Sequence, residues 1–198
     1  KDRFKSKKRI GKGQFGEIFP YQKTEQDFQW VVKRMEVEKE ELRNLQGEID
    51  HDRTYQRLIH NILKCFPEIV IGFSCNHPCV VPVNGYFIEK TENGYDIYLK
   101  LPRMKMSLFD EFKSREYSKA FYEEAQIVKY FYSLVSGVEY LHKRKIFHRD
   151  IKLNNVLLDE KGNAKLSDVG TAKHVADDDF DSFLTGDHGA VNYKAPEL

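Results

Sequence analysis

The chain has 198 residues, of which 40% are hydrophobic and 32% are charged, and its net charge at pH 7 is +1. This composition is typical of a globular protein with a sizeable core, and so small a charge excludes a general electrostatic attraction to nucleic acid or anionic membranes. No apolar run approaches the ~18 residues of a membrane span. The chain has three cysteines, and this odd number argues against a disulfide framework. It favours a reducing compartment, the cytoplasm or the nucleus.

The N-terminal half of the sequence predicts β-strands joined by tight turns and interrupted by one helix. Strands are predicted at residues 4–10, 17–21 and 28–35. Residues 36–66 carry apolar side chains at roughly helical spacing among many charges, and they predict the helix. Residues 80–87 and 95–101 predict a hairpin with Asn93-Gly94 as its turn.

The C-terminal half is dominated by helices. Ser107 is predicted to cap a short helix that runs to residue 112, and residues 121–143 predict a long amphipathic helix. The apolar face of this second helix consists of Ile127, Phe131, Leu134, Val138 and Leu141. Short strands are predicted at residues 146–147, 156–158 and 164–167, with a turn at residues 160–163.

Three glycines near the N-terminus, Gly11, Gly13 and Gly16, form the pattern G-x-G-x-x-G. Glycine lets the backbone approach phosphate groups and present N–H donors without a side-chain clash. Alone, the pattern also fits a plain hairpin or a dinucleotide-binding loop, and the dinucleotide loop requires a helix directly after the glycines. Pro20 disfavours that helix, so a phosphate-binding hairpin fits better, and an oxidoreductase interpretation would rest on this loop alone.

The most informative stretch is residues 148–155, His-Arg-Asp-Ile-Lys-Leu-Asn-Asn, followed by Asp168-Val169-Gly170. A carboxylate such as Asp150 can accept a hydroxyl proton, and a lysine such as Lys152 can neutralise charge on a phosphoryl group. An amide and a second carboxylate, here Asn155 and Asp168, can hold magnesium. This ordered set therefore suits phosphoryl transfer.

Taken together, the motifs resemble the protein kinase family, and the resemblance covers essentially all 198 residues. It implies an α+β, bilobal protein kinase-like fold with a β-rich N-lobe and one main helix at residues 1–101, a hinge at 102–104, and a helical C-lobe at 105–198. The C-lobe is expected to be incomplete, because kinases need further helices after Ala195-Pro196-Glu197. Residues 102–198 alone are therefore expected to leave apolar surface uncovered.

The resemblance implies ATP and Mg2+ as cofactors and a protein as the substrate. Asp150 is then the catalytic base, Lys152 stabilises the transferring phosphoryl group, and Lys33 grips the α- and β-phosphates. Asn155 and Asp168 are the implied Mg2+ ligands. The other residues implied to contact the nucleotide are Gly11, Lys12, Gly13, Gln14, Phe15, Gly16, Ile18, Val31, Leu101 and Met104. A lysine two positions after the base is similar to the serine/threonine kinases.

In this family the strand lysine needs an acidic partner on the following helix. Counting back from His77-Pro78, which resembles the junction between that helix and the next strand, gives Glu68 as the partner of Lys33. Glu48 is the competing candidate. A partner at position 68 implies an insertion within residues 36–66.

Arg149, directly before Asp150, is similar to the arginine of kinases that are switched by phosphorylation of an activation segment. That segment is expected to run from residue 168 to residue 197. Thr185 and Ser182 are its candidate phosphate acceptors, which implies an activating kinase or a regulatory partner.

Four residues depart from the family pattern. Val169 replaces the usual phenylalanine, and Ala190 replaces a threonine whose hydroxyl reaches the catalytic base and lysine. Pro67 would interrupt a helix interior, and Gly72 stands where a large apolar residue normally packs. These departures favour an alternative, a pseudokinase that acts as a nucleotide-binding or scaffold module with little transfer activity.

Overall fold

The computed structural model describes residues 9–13, 16–21, 29–43, 46–175 and 193. The chain divides into two units, each of which is formed by two separate stretches of sequence. The first unit consists of Lys1–Phe73 and Val83–Arg103, and the second of Ser74–Pro82 and Met104–Leu198. In the described part of the chain, no helix is both long and apolar enough to cross a membrane.

The first unit is built on a five-stranded antiparallel sheet with the spatial order β1-β2-β3-β5-β4. Its elements are β1 (Gly11–Gly13), β2 (Gly16–Pro20), β3 (Trp30–Glu38), α1 (His51–Ser74), β4 (Gly85–Thr91) and β5 (Gly94–Pro102). One face of the sheet, which includes Met35, Ile97 and Leu99, packs against Leu58 and Ile62 of α1. The long pairing of β3 with β5 forms the centre of this unit, because it buries both strands.

The helix of the first unit begins later than predicted. Strand β3 continues to Glu38, and the described residues between 39 and 50 lie outside helices. Helix α1 starts at His51 because the side chain of Asp50 accepts a hydrogen bond from the Arg53 N–H at 3.0 Å, which caps the first turn. The helix then continues through Pro67 instead of ending there.

The predicted hairpin forms, with two corrections. Strand β4 begins at Gly85, and Val80 instead makes a parallel bridge to Leu166 in the second unit. The two-residue turn consists of Glu92 and Asn93, one position earlier than predicted, because Gly94 already pairs with Thr91. The predicted strand at residues 4–10 lies outside the described residues except for positions 9 and 10, which are not in a strand.

Among its described residues, the second unit contains two α-helices and two small sheets. Its elements are β6 (Met106–Ser107), α2 (Leu108–Ser118), α3 (Glu124–His142), β7 (Ile146–Phe147), β8 (Val156–Leu158), β9 (Ala164–Leu166) and β10 (Lys173–His174). Strands β6, β8 and β9 form one antiparallel sheet, and β7 pairs with β10. Ser107 caps α2 as predicted, through a reciprocal capping box with Asp110, although the helix runs past residue 112 to Ser118. The predicted α+β class is confirmed.

The predicted face of α3 is buried only in part. Leu141 is 0% exposed and Leu134 packs against a buried cluster, whereas Ile127 and Phe131, also predicted to face the core, are 54% and 67% exposed. Tyr130 and Gly137, outside the predicted face, are buried. A Cβ atom on Gly137 would lie 2.9 Å from the carbonyl oxygen of Cys79. The helix therefore approaches the backbone at residue 79 more closely than a larger side chain would allow.

Candidate active site

The first unit holds a buried ion pair between β3 and α1. Lys33 lies on β3 opposite Leu99 of β5, and Glu68 lies on α1. The Lys33 Nζ donates to the two carboxylate oxygens of Glu68 at 2.6 and 2.8 Å, and each residue is only 4% exposed. The carboxylate that faces Lys33 is thus that of Glu68, while Glu48 is exposed and precedes the helix.

The glycine pattern forms the β1–β2 hairpin, in which Gly13 pairs with Gly16. Gly16 has a φ of +150°, and a Cβ atom there would lie 2.2 Å from the carbonyl oxygen of Arg34. Only glycine fits this position without a shift of the backbone. Ile18 pairs directly with Lys33 across β2 and β3. Gln14 and Phe15, which were also predicted to contact the nucleotide, lie outside the described residues.

Two further residues that were predicted to contact the nucleotide pair with each other in the sheet, and a third follows β5 in the sequence. Val31 is buried and pairs with Leu101 of β5. Pro102 is the last residue of β5, so the strand extends into the predicted hinge. Met104, the third residue of that hinge, is the first residue of its segment in the second unit.

In the second unit, His148 fixes the loop that follows β7. The ring is 2% exposed; its Nδ1 accepts the backbone N–H of Asp150 at 3.3 Å, and its Nε2 lies 2.9 Å from the carbonyl oxygen of Ser167. An accepting Nδ1 places the proton on Nε2, which donates to Ser167. Burial lowers the pKa of His148, so the neutral ring that this bonding requires is the favoured form.

Asp150 is the centre of a compact polar cluster. Its carboxylate accepts hydrogen bonds from the Lys152 Nζ at 2.6 Å and from the Asn155 Nδ2 at 2.9 Å. The same Asn155 amide donates to the Asp150 carbonyl oxygen at 2.7 Å. Asp150 and Asn155 are 4% and 6% exposed. The structure thus brings the predicted base, lysine and amide together, and two hydrogen bonds hold the carboxylate.

The donor set suits a hard divalent cation at Asn155 and Asp168. Both N–H bonds of the Asn155 amide point to Asp150, so its side-chain oxygen faces away from Asp150 and is an acceptor. Ser167, the residue before Asp168, bonds the Asn155 carbonyl oxygen through its N–H at 2.8 Å and its hydroxyl at 2.9 Å. These bonds tie Asp168 to the loop that carries Asn155, and amide and carboxylate oxygens are ligands that Mg2+ prefers.

Two residues around the cluster adopt the left-handed backbone conformation without being glycine. Arg149 has a φ of 64° and Asp168 a φ of 62°. Such angles are uncommon outside glycine and occur at sites where the surroundings hold the chain in place. Arg149 is held by a bond from its Nε to the carbonyl oxygen of Thr171 at 2.7 Å, and burial lowers its pKa. The candidate phosphate acceptors Ser182 and Thr185 lie outside the described residues, as does Ala190.

Two hydroxyl residues of the site were not predicted from the sequence. Ser167 anchors Asn155, as described above, and the Thr171 hydroxyl donates to the His148 carbonyl oxygen at 2.9 Å. They lie on either side of residues 168–170, and Val169 between them is buried. Their position directly before and after the predicted metal-binding loop is the sequence signal from which Ser167 and Thr171 could have been predicted.

Comparison with known proteins gives a consistent result. The family described as protein kinase domain matches residues 4–198. CBL-interacting protein kinase 26 of Oryza sativa subsp. japonica is 27% identical over 100% of the chain, and the carbon catabolite-derepressing protein kinase of Saccharomyces cerevisiae is 29% identical over 96%. Mitogen-activated protein kinase kinase kinase 1a of Physcomitrium patens is 40% identical over 66%. The chain spans 35%, 26% and 16% of the lengths of these three relatives.

Proposed function

The chain belongs to the protein kinase family, and we propose that it is a serine/threonine protein kinase, which transfers the γ-phosphate of ATP to a hydroxyl of a protein substrate. The observation that carries this proposal is the buried Asp150 carboxylate, held by Lys152 at 2.6 Å and Asn155 at 2.9 Å. A carboxylate so fixed can orient a substrate hydroxyl and accept its proton.

Each residue of the cluster has a separate role in the proposed reaction. Asp150 accepts the proton of the serine or threonine hydroxyl as the hydroxyl oxygen attacks the γ-phosphorus, and the bond from the γ-phosphorus to the β–γ bridging oxygen breaks to release ADP. The Lys152 ammonium, which is partly exposed beside it, neutralises charge on the transferring phosphoryl group. Lys33, oriented by Glu68, binds the α- and β-phosphates, and the β1–β2 hairpin offers them its backbone N–H groups.

Asn155 and Asp168 are the proposed holders of Mg2+. The ion supplies positive charge to the phosphates of ATP when it is bound. Asn155 serves a second purpose in the same proposal, because its amide N–H groups position the base while its oxygen remains for the metal.

Regulation and location belong to the same proposal. Arg149 would pair with a phosphate on Thr185 or Ser182, delivered by an activating kinase. One relative is named as interacting with CBL, and we infer that a regulatory protein partner also exists for this chain. The three free cysteines and the family suit an intracellular protein.

The test is transfer of the terminal phosphate from radiolabelled ATP to a generic basic protein in the presence of Mg2+. We expect the transfer to depend on Asp150, so that Asp150→Asn, which keeps the shape and removes the charge, lowers the rate by at least ~100-fold. Glu160→Gln, at an exposed turn, is the matched control and should leave the rate unchanged. Equal rates for the Asp150→Asn variant and the parent chain would contradict the proposed base.

A pseudokinase is the second candidate, and two specific observations favour it. Ala190 removes the hydroxyl that would bond the base and lysine, and Gly72 is buried in α1 without a side chain to pack there. Binding of a fluorescent ATP analogue, weakened by Lys33→Met, together with no detectable transfer after treatment with an activating kinase would support this alternative. Transfer that Asp150→Asn abolishes would exclude it.

A further inference from the structure

Three side chains that carry positive charge or N–H donors meet around Tyr140, near the end of α3 in the second unit. The Arg144 guanidinium lies over the Tyr140 ring, 3.8 Å from its centroid, and the His77 ring stacks on the same tyrosine at 4.7 Å. Lys165 of β9 donates from its Nζ to the carbonyl oxygen of Pro78, the residue after His77. Arg144, His77 and Lys165 are called the Tyr140 cluster below.

The backbone around the cluster is held by hydrogen bonds. The N–H groups of Arg144 and Lys145 each donate to a carbonyl oxygen in the last turn of α3, at 2.9 Å. Lys145 then adopts a left-handed backbone conformation, with a φ of 58°, directly before β7. The His77 ring is held through its Nδ1, which accepts the N–H of Cys79 at 3.2 Å. A ligand of the cluster therefore finds Arg144 and His77 already ordered, which lowers the entropic cost of binding.

Most hydrogen-bond donors of the cluster are unused within the described residues. The Arg144 guanidinium makes one hydrogen bond, from Nη1 to the Tyr140 carbonyl oxygen at 3.4 Å, so most of its N–H donors remain. The Lys165 ammonium uses one donor on Pro78. Because the His77 Nδ1 is an acceptor, the neutral ring carries its proton on Nε2, which is a further donor. The cluster thus offers N–H donors from three side chains.

The positive charge of the cluster is not compensated by a direct ion pair in the part of the chain that the structure describes. The neighbouring Glu139 is paired with Lys143 at 2.7 Å, and neither Arg144 nor Lys165 forms an ion pair among the described residues. Burial lowers the pKa of His77, and the charges of Arg144 and Lys165 lower it further, while Glu139 acts in the opposite direction. The two cations therefore act on the same imidazole, and an anion bound between them would relieve their repulsion.

A phosphate monoester suits this cluster better than an extended polyanion does. Phosphate oxygens accept charge-assisted hydrogen bonds from guanidinium and ammonium groups, and clusters that contain arginine are a recurring means of recognising phosphorylated residues. Nucleic acids and anionic membranes require a broader basic surface. Here carboxylates adjoin the cluster, namely Glu139 on α3 and Asp159, two residues after the cross-strand partner of Lys165. Because Arg144 is exposed, the phosphate has to be presented at the surface, as a phosphorylated side chain of a protein is.

We propose that the Tyr140 cluster binds the phosphate group of a phosphoserine or phosphothreonine side chain on a partner protein. The Arg144 guanidinium and the Lys165 ammonium would donate to the phosphate oxygens, and the His77 Nε2–H would add a third hydrogen bond. The Tyr140 ring orients the guanidinium by stacking against it. This inference does not depend on phosphoryl transfer at Asp150, because no residue of the cluster takes part in that reaction.

The test uses the full chain and a synthetic peptide in which one phosphoserine is flanked by glycine and alanine, and it follows the NMR signals of the backbone amides and of the His77 ring. We expect saturable shifts at Arg144 and His77 with a dissociation constant below ~1 mM, and at least about tenfold weaker binding of the same peptide with unphosphorylated serine. Arg144→Gln and Lys165→Gln should each weaken binding of the phosphopeptide about tenfold. Lys129→Gln is the matched control, because it removes the same charge from an exposed position of α3, about 16 Å along the helix from Tyr140, and it should leave the affinity unchanged.

Several outcomes would overturn the proposal. Equal binding of the phosphorylated and unphosphorylated peptides overturns the site, as does binding that neither Arg144→Gln nor Lys165→Gln weakens, or no saturable shift up to ~10 mM peptide. Inorganic phosphate that binds as tightly as the phosphopeptide would assign the cluster to a free anion instead. Sedimentation of the chain with phosphatidylserine vesicles, lost in Arg144→Gln, would assign it to a membrane surface. Both variants should keep the circular dichroism spectrum of the parent chain, so that a loss of binding reports on the site and not on the fold.

Discussion

The ion pair of Lys33 with Glu68 provides the sharpest test of the packing in the first unit. Both side chains are almost fully buried, and two short hydrogen bonds join them. We expect Glu68→Leu to be strongly destabilising, because it leaves the Lys33 ammonium buried without a counter-charge. Lys33→Met should also be destabilising, because it leaves the Glu68 carboxylate buried without a counter-charge.

The magnitude follows from the burial of both partners. Removing one partner of a buried pair costs about 3–5 kcal/mol, whereas replacing both with apolar residues of similar volume is often close to neutral. The double variant Lys33→Met/Glu68→Leu should therefore cost no more than about 2 kcal/mol. The two single costs, which sum to at least about 6 kcal/mol, should then exceed the cost of the double variant by at least about 4 kcal/mol.

The assay is urea unfolding followed by circular dichroism, on the parent chain, both single variants and the double variant. Arg57 and Glu40 supply the matched control, because they form an ion pair whose side chains are 45% and 46% exposed. A cycle of alanine substitutions at that pair should give a coupling of about 0.2–1 kcal/mol. The burial argument would be refuted if the losses in free energy of unfolding at Lys33 and Glu68 were additive. It would also be refuted if they were no larger than the losses at the exposed pair.

Three further changes have defined outcomes. Gly16→Ala should lower the free energy of unfolding by more than about 1 kcal/mol, because the new Cβ would lie 2.2 Å from the Arg34 carbonyl oxygen and φ is +150°. Gly11→Ala is the control in the same urea assay. It should be well tolerated, because its Cβ would lie 3.7 Å from the Ile18 side chain. Because the pKa of His148 is lowered in the folded chain, the unfolded chain binds the proton more tightly. The free energy of unfolding should therefore fall as the pH drops below about 6.5, the ordinary pKa of histidine. His148→Gln should remove this part of the pH dependence when urea unfolding is compared at pH 7 and pH 5. Ser107→Ala removes the hydroxyl that caps α2 and should cost about 1 kcal/mol in thermal or urea unfolding, whereas Ser107→Thr, which keeps a capping hydroxyl, should cost less; an equal loss in both would argue against the cap.

The cluster around Asp150 was predictable because its members are close in sequence. Asp150 and Asn155 are joined by a short loop, and such a loop can close only if its polar groups bond one another, as the Asn155 amide does. Glu68 was found by a different signal, its distance from His77-Pro78. His77 stacks on Tyr140 with 4.7 Å between the ring centroids, so this junction is fixed within the second unit and is a sound point from which to count.

The start of α1 was not predictable from local periodicity. Residues 36–50 carry apolar residues at helical spacing, yet β3 continues to Glu38 because β5 pairs with it along its whole length. Tertiary pairing therefore decided the local conformation against the pattern. Pro67 was expected to interrupt the helix, and the packing of α1 along the sheet on both sides of this residue offsets the lost hydrogen bond.

The faces of the two long helices show a more general limit of sequence patterns. Periodicity identifies which residues of a helix are apolar and aligned, but it does not identify which neighbour covers them. In α3 the predicted face includes Leu141, which is buried, but also Ile127 and Phe131, which are exposed. The close backbone approach at Gly137 lies outside that face. In α1 there are two apolar faces, and only the one that includes Leu58 meets the sheet. An apolar face that meets no neighbour among the described residues is therefore not by itself a sign that the helix was assigned wrongly.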